Sequence, residues 1–133
     1  MNAPKPIRGK PFGFRLDLAS CVPVYRQLID QVQLAIASGL LSGGDQLPTV
    51  RQVAVDLAIN PNTVMRAYRE LEIRGTLTTQ QGSGTYVTPE AVRPDEAQRQ
   101  AQLSRLAAEC AAKAGAAGFS LEELIGRLKE MLP

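Results

Sequence analysis

Between residues 49 and 71 the chain starts a helix twice with almost no room in between, and no other feature constrains the fold as tightly. Thr49 with Gln52 makes the reciprocal capping pattern Thr-x-x-Gln, and Val50, Val53, Ala54 and Leu57 form the apolar side of the helix it opens, which ends near Ala58. Asn60-Pro61 starts the next helix at once. Asn accepts from the free backbone N–H groups, and Pro supplies the helical φ at a position whose own N–H is unused. Val64, Ala67, Tyr68 and Leu71 then recur at i, i+3, i+4 and i+7, so the opposite side presents Asn62, Arg66 and Arg69 until Gly75 stops the helix. Two helices joined by Ile59-Asn60, the second with a polar outer face, are the parts of a helix-turn-helix, whose second helix enters a DNA major groove. Tyr68 lies on the apolar stripe and is expected in the core, although an aromatic beside basic residues also suits base stacking.

The flanking sequence extends this unit. Residues 1–13 read as an arm whose Lys5, Arg8 and Lys10 either touch phosphates or stay solvated, and Phe14-Arg15-Leu16-Asp17-Leu18 alternates as a short strand does. After Pro23, the residues Val24, Leu28, Val32, Ala35 and Ile36 trace one face of a helix that stops at Gly39. The runs Thr76–Gln80 and Thr85–Thr88 bracket Gln-Gly-Ser-Gly and predict a hairpin with a glycine tip. Beyond Pro89, a fourth helix is expected from about Pro94 to Ala114, carrying Leu103, Leu106 and Cys110 and broken by Gly115 and Gly118. A last helix opens at the capping box Ser120/Glu123, with Leu121, Leu124, Ile125 and Leu128 on one side. The expected fold class is mainly α with a small β-hairpin. The expected organisation is residues 1–20 as arm and short strand, 21–89 as winged helix-turn-helix and 90–133 as a short α-helical dimerisation domain.

Composition removes several alternatives. A chain of 133 residues does not accommodate a large catalytic domain, and neither a secretion signal nor a long apolar run is present, so a cytoplasmic protein without membrane contact is expected. Cys21 and Cys110 have no metal-ligand spacing and read as buried small apolar residues; with no histidine at all, no metal site and no cofactor is expected. The net charge is only +2, but residues 1–89 carry nine Lys/Arg against six Asp/Glu, which is compatible with a polyanionic partner. The glycine pair of Gln-Gly-Ser-Gly lacks the P-loop lysine and opens no helix, which argues against a nucleotide-binding enzyme.

The stretch from Leu47 to Val87, "LPTVRQVAVDLAINPNTVMRAYRELEIRGTLTTQQGSGTYV", resembles the winged-helix DNA-binding domain of the GntR family of bacterial transcription regulators. The likeness joins Leu47-Pro48 before the capped helix, Arg51 within it, the segment from Asn60 to Leu71 and the Gln81-Gly82-Ser83-Gly84-Thr85 tip. The "NPNTV" form and the short C-terminal part resemble the small YtrA-like branch. The sequence departs from the commoner family pattern at Asn60-Pro61-Asn62-Thr63 and at Met65, where other branches carry Ser/Thr-Arg-Thr-Thr and an Arg, so base preferences do not transfer.

The resemblance implies double-stranded operator DNA as partner, a recognition helix over about 61–74 in the major groove and a wing over about 76–88 on the minor groove or backbone. The DNA-contacting set expected is Thr49, Arg51, Asn62, Thr63, Arg66, Arg69, Gln81, Gly82, Ser83 and Gly84. Arg51 sits in the first turn of its helix, where the macrodipole disfavours a cation by about 0.3–1 kcal/mol; a phosphate or guanine would reverse that, and a pairing with Asp56 or Asp45 is the alternative. Asn62 and Arg66 can read adenine and guanine bidentately, and Thr63 can donate to a phosphate. Arg69 suits a phosphate or a salt bridge to Glu70 or Glu72, and Ser83 suits a phosphate or a plain turn.

The two C-terminal helices leave apolar faces that a small winged helix cannot cover. Leu103, Leu106, Leu121, Leu124, Ile125 and Leu128 are therefore expected at a homodimer interface, with an intramolecular core as the alternative. A two-fold dimer matches a roughly palindromic operator, and the resemblance implies a repressor-type regulator. A small-molecule effector, where one exists, has only a small pocket or the dimer interface to occupy. The competing reading is a winged-helix protein- or RNA-interaction module without operator specificity.

Overall fold

The computed structural model describes residues 12–89 and 96–133, so the basic residues of the N-terminal arm lie outside the described part. The chain divides into two compact units, Met1–Pro89 and Glu90–Pro133.

In the first unit, α1 (Val24–Ser38), α2 (Val50–Leu57) and α3 (Pro61–Ile73) precede a hairpin of β1 (Leu77–Gln80) and β2 (Gly84–Val87). Helix α3 is the centre, since it packs against α1, α2 and β1. Its stripe Val64, Ala67, Tyr68 and Leu71 is buried, and Val64 and Leu71 meet the fully buried Leu28, Ile29 and Val32 of α1 in one apolar cluster. Burying each of these large side chains is worth about 1.5–3 kcal/mol, enough to fix which face of α3 points outward.

The caps form as the sequence dictates, with one difference. The Thr49 hydroxyl accepts from the Gln52 backbone N–H and the Asn60 side chain accepts from Asn62 N–H. The Gln52 side chain does not reciprocate; it donates to Asp56 one turn on, at 2.8 Å. Between the helices Ala58 adopts φ 55°, ψ 48°, a left-handed conformation for a non-glycine residue. Its N–H and that of Ile59 return to the last carbonyls of α2, which makes the corner tight.

The tip of the hairpin closes through Ser83 N–H to the Gln80 carbonyl, with Gly82 at φ 77°. The hairpin also has a third partner. Leu47 N–H donates to Thr85 O, Val87 N–H to Asp45 O and Gly44 N–H to Val87 O, so the segment read as a glycine-rich turn runs along the free edge of β2.

No strand forms at Phe14–Leu18. Phe12, Phe14 and Leu16 do turn toward the core, as the alternation requires, but the backbone hydrogen bonds go to glutamine side chains of α1. Gln31 accepts from Arg15 N–H and donates to Arg15 O at 2.8 and 2.6 Å, and Gln27 does the same for Asp17 at 2.9 and 3.1 Å. A primary amide offers the same C=O and N–H pair as a peptide group, so each glutamine replaces one residue of a neighbouring strand. Cys21, expected in the core, is exposed in the loop that follows.

The second unit holds α4 (Glu96–Ala116) and α5 (Leu121–Glu130), packed against each other. Gly115 does not break α4. The helix runs through it to Ala116, and the closing turn comes at Gly118, φ 89°, where Phe119 N–H reaches back to Ala114 O. Cys110, on α4, is exposed and not buried as expected. Ser120 and Glu123 form the complete reciprocal capping box of α5.

The Tyr68 hydroxyl donates to the Pro48 carbonyl at 2.6 Å, tying α3 to the residue before the cap of α2. Burial pushes its phenol far above the ordinary range, so it stays a neutral donor. Tyr68→Phe is expected to lower the unfolding free energy by about 0.5–1.5 kcal/mol, read as a lower denaturation midpoint at constant slope; an unchanged midpoint would contradict this tie.

Candidate nucleic-acid interface

With its buried stripe turned inward, α3 exposes Asn62, Met65, Arg66 and Arg69 to solvent, and Thr63 lies half-buried on its flank. Asn62 and Thr63 stand in the first turn, and the Thr63 N–H donates to the Asn60 carbonyl. The Asn62 N–H is taken by the Asn60 cap, and its side-chain amide has no partner among the described residues.

The basic residues divide by what holds them. Arg51 is exposed in the first turn of α2, and both acids that could neutralise it are committed elsewhere: Asp56 to Gln52, and Asp45 to Ser42 N–H at 2.8 Å. Arg69 is likewise without an ion pair among the described residues, because Glu70 pairs with Arg74 at 3.1 Å. Neither the Asp56 or Asp45 pairing of Arg51 nor the Glu70 or Glu72 pairing of Arg69 forms among the described residues, which leaves both cations available to an anion. Arg66 behaves differently: its guanidinium carbon lies 3.8 Å from the ring centroid of Tyr25 on α1. No spacing within α3 announces that contact, because Tyr25 is distant in sequence.

At the wing, Gln81 and Gly82 are exposed at the tip, and Gln81 has no side-chain partner among the described residues. Ser83 is less free. Its hydroxyl is 2.5 Å from the Tyr86 hydroxyl, and its carbonyl accepts from Gln46 Nε2 at 3.3 Å. Gly84, expected to permit approach to DNA, has an internal reason to be glycine in its backbone, at φ 142°; a Cβ there would also stand 2.7 Å from Gln46 Nε2, the free end of a side chain that can swing aside. Gln46 is therefore a part of the wing that sequence reading missed, placed there by the edge pairing of residues 44–47; Tyr86 lies on the expected second strand, but its hydroxyl contact with Ser83 was not anticipated. Thr49 acts as the α2 cap and is exposed beside Arg51.

In the second unit every large apolar residue of the expected dimer set except Leu124 is exposed: Leu103, Leu106, Leu121, Ile125 and Leu128, with Leu124 half-buried. Ala114, Phe119, Glu123, Leu124 and Arg127 line an open concavity of ≈ 460 Å³ between α4 and α5. No described helix is long and apolar enough to cross a membrane.

Fold and exposed groups together define a winged helix-turn-helix protein with a helical C-terminal unit. The family model described as bacterial regulatory proteins, gntR family, matches residues 24–87. The HTH-type transcriptional repressor YtrA of Bacillus subtilis (strain 168) is 34% identical over 117 residues, covering 88% of this chain and 90% of that protein. Among solved structures, YtrA from Sulfolobus acidocaldarius, a GntR-family transcription factor, is 32% identical with a TM-score of 0.55, over 88% of this chain and 94% of its own. A protein of Listeria monocytogenes EGD-e described as a transcriptional antiterminator is 26% identical with a TM-score of 0.65, over 88% and 87% of the two chains. The chain belongs to the GntR family of bacterial transcription regulators.

The two wing glycines should differ on substitution. Gly84→Ala, at φ 142°, enters a region kept almost wholly for glycine and is expected to cost about 1–3 kcal/mol, whereas Gly82→Ala, at φ 77° in open space, meets the left-handed penalty of about 1–2 kcal/mol. Thermal denaturation of the two variants checks the order, and a Gly82→Ala loss larger than that of Gly84→Ala would contradict it.

Proposed function

We propose that the protein is a sequence-specific DNA-binding transcriptional regulator, of repressor type, acting without enzymatic chemistry. The observation that carries this reading is the pair of exposed, unneutralised arginines Arg51 and Arg69 bordering the outward face of α3. Isolated cations are what a phosphate backbone takes up, and Asn62 and Arg66 between them offer bidentate hydrogen bonding to purines. Thr63 completes the α3 contacts, Thr49 lies beside Arg51, and Gln81 with Gly82 approaches the minor groove or backbone from the wing. Ser83 and Gly84 serve that tip by shaping it. The B. subtilis relative's description as a repressor supports the sign of regulation.

The exposed apolar side chains of α4 and α5 favour a homodimer, because a two-helix unit of this size leaves them in water otherwise. A two-fold dimer places two recognition helices on successive major-groove faces and suits a roughly palindromic site in the cytoplasm, where the bacterial chromosome lies. An effector, where one exists, has the concavity beside Phe119 and Arg127 or the dimer interface to occupy.

Selection of bound duplexes from a random pool, followed by titration at several salt concentrations, tests the reading. Affinity for the selected site is expected to fall by about 0.9 log units per log unit of salt for each phosphate neutralised. Arg51→Ala and Arg69→Ala each reduce that slope by about one, while Asn62→Ala relaxes preference at one base pair and leaves the slope. Selection of no sequence, or salt-insensitive binding, would sink the proposal; preferential retention of single-stranded RNA would favour an RNA-binding module. For the dimer, Leu124→Glu with Leu128→Glu is expected to give monomers by light scattering and to weaken operator binding, and an unchanged mass would place these residues in an internal core.

A further inference from the structure

The contact between Arg66 and Tyr25 joins the outward face of α3 to the start of α1 and has no part in either helix's own hydrogen bonding. Arg66 is exposed, and its guanidinium has no carboxylate or hydrogen-bond acceptor among the described residues; what it has is the Tyr25 ring, 3.8 Å from the guanidinium carbon. A carboxylate partner would occupy the N–H fork. An aromatic ring covers only the flat face of the group, which carries no donors, and leaves the in-plane N–H edges unspent. Both ends of the contact are fixed, because the buried Leu28 and Ile29 follow Tyr25 on α1 and the buried Val64 and Ala67 flank Arg66 on α3.

We propose that Tyr25 is a positioning residue for DNA recognition: its ring holds the Arg66 guanidinium in one orientation, with the N–H edge free to engage a guanine or a phosphate. This rests on the reading of α3 as the recognition helix. A flexible arginine loses much rotamer freedom on docking, and a stack formed in the free protein removes part of that loss before DNA arrives. Tyr25 therefore acts through Arg66, and its contribution vanishes when Arg66 is removed.

Affinity of the full chain for its selected duplex, at one salt concentration, tests this with Tyr25→Phe, Tyr25→Leu, Arg66→Ala and the Tyr25→Leu, Arg66→Ala double variant. Tyr25→Phe keeps the ring and is expected to bind as the wild type does. Tyr25→Leu is expected to bind about two- to fivefold more weakly, the range of an exposed cation–π contact, and to cause no further loss in the Arg66→Ala background. In the free wild-type protein the Arg66 Nε–H proton resonance should be displaced upfield by the ring, and it should stay displaced in the complex. This signature does not depend on how well Tyr25→Leu folds. An equal loss from Tyr25→Leu in both backgrounds, an Arg66→Ala protein with wild-type affinity and preference, or an Arg66 resonance at its ordinary position would each overturn the proposal while leaving DNA binding intact. Absence of sequence-selective binding by the wild type would instead remove the reading on which it rests.

Discussion

What the protein presents to a partner depends on the burial of one stripe of α3. Val64, Ala67, Tyr68 and Leu71 pack against α1, α2 and β1 at the centre of the apolar cluster, so the rotation of α3 about its axis is not free. Turning the helix by one residue, about 100°, would expose part of that stripe and bury charged groups without partners, at a cost of several kcal/mol. The outward set of Asn62, Arg66 and Arg69 is thus a consequence of core packing. The Tyr68 hydroxyl extends the same constraint to the start of α2 through Pro48, which fixes where Arg51 projects.

Charge is handled on this unit in a way that leaves it available. The acids near the interface are committed to local tasks: Asp45 closes a turn, Asp56 holds Gln52 and Glu70 holds Arg74. Arg51 and Arg69 have no ion pair among the described residues, and Arg66 rests on a neutral ring. Pairing these cations with carboxylates would gain little on an exposed surface, typically below about 1 kcal/mol, and would have to be undone before an anion could bind. Exposed arginines with no internal partner cost the fold little and keep the interface ready.

The parts of the fold legible in the sequence were those set by neighbours in the chain. The caps at Thr49, Asn60 and Ser120, the apolar stripe of α3 and the hairpin between Thr76 and Thr88 all follow from local chemistry, and together they placed the helix-turn-helix. Most of the misreadings have a non-local origin. Alternation from Phe14 to Leu18 correctly turns Phe14 and Leu16 inward but fails at Leu18, which is exposed, and Gln27 and Gln31 supply the hydrogen bonds that a strand would have drawn from a sheet. Gly115 and Gly118 look alike as helix stops, but only Gly118 takes the left-handed φ that lets Phe119 reach back to the last carbonyls. Gln46 at the wing and Tyr25 beneath Arg66 were invisible because their contacts join segments far apart in the chain. Each adds a neighbour to a residue of the expected interface: Gly84 lies against the Gln46 amide, and Arg66 rests on the Tyr25 ring.

In the proposed mode of binding, the outward face of α3 meets base edges in the major groove while the wing stays on the backbone or minor groove. Replacing single purines of the selected duplex by 7-deazapurines removes the N7 acceptor from the major groove and leaves the minor groove untouched. Loss of affinity is expected at a few purines in each of two clusters, about one helical turn or a multiple of it apart. A duplex whose binding is indifferent to N7 removal at every position, and that responds only to minor-groove substitution, would contradict it.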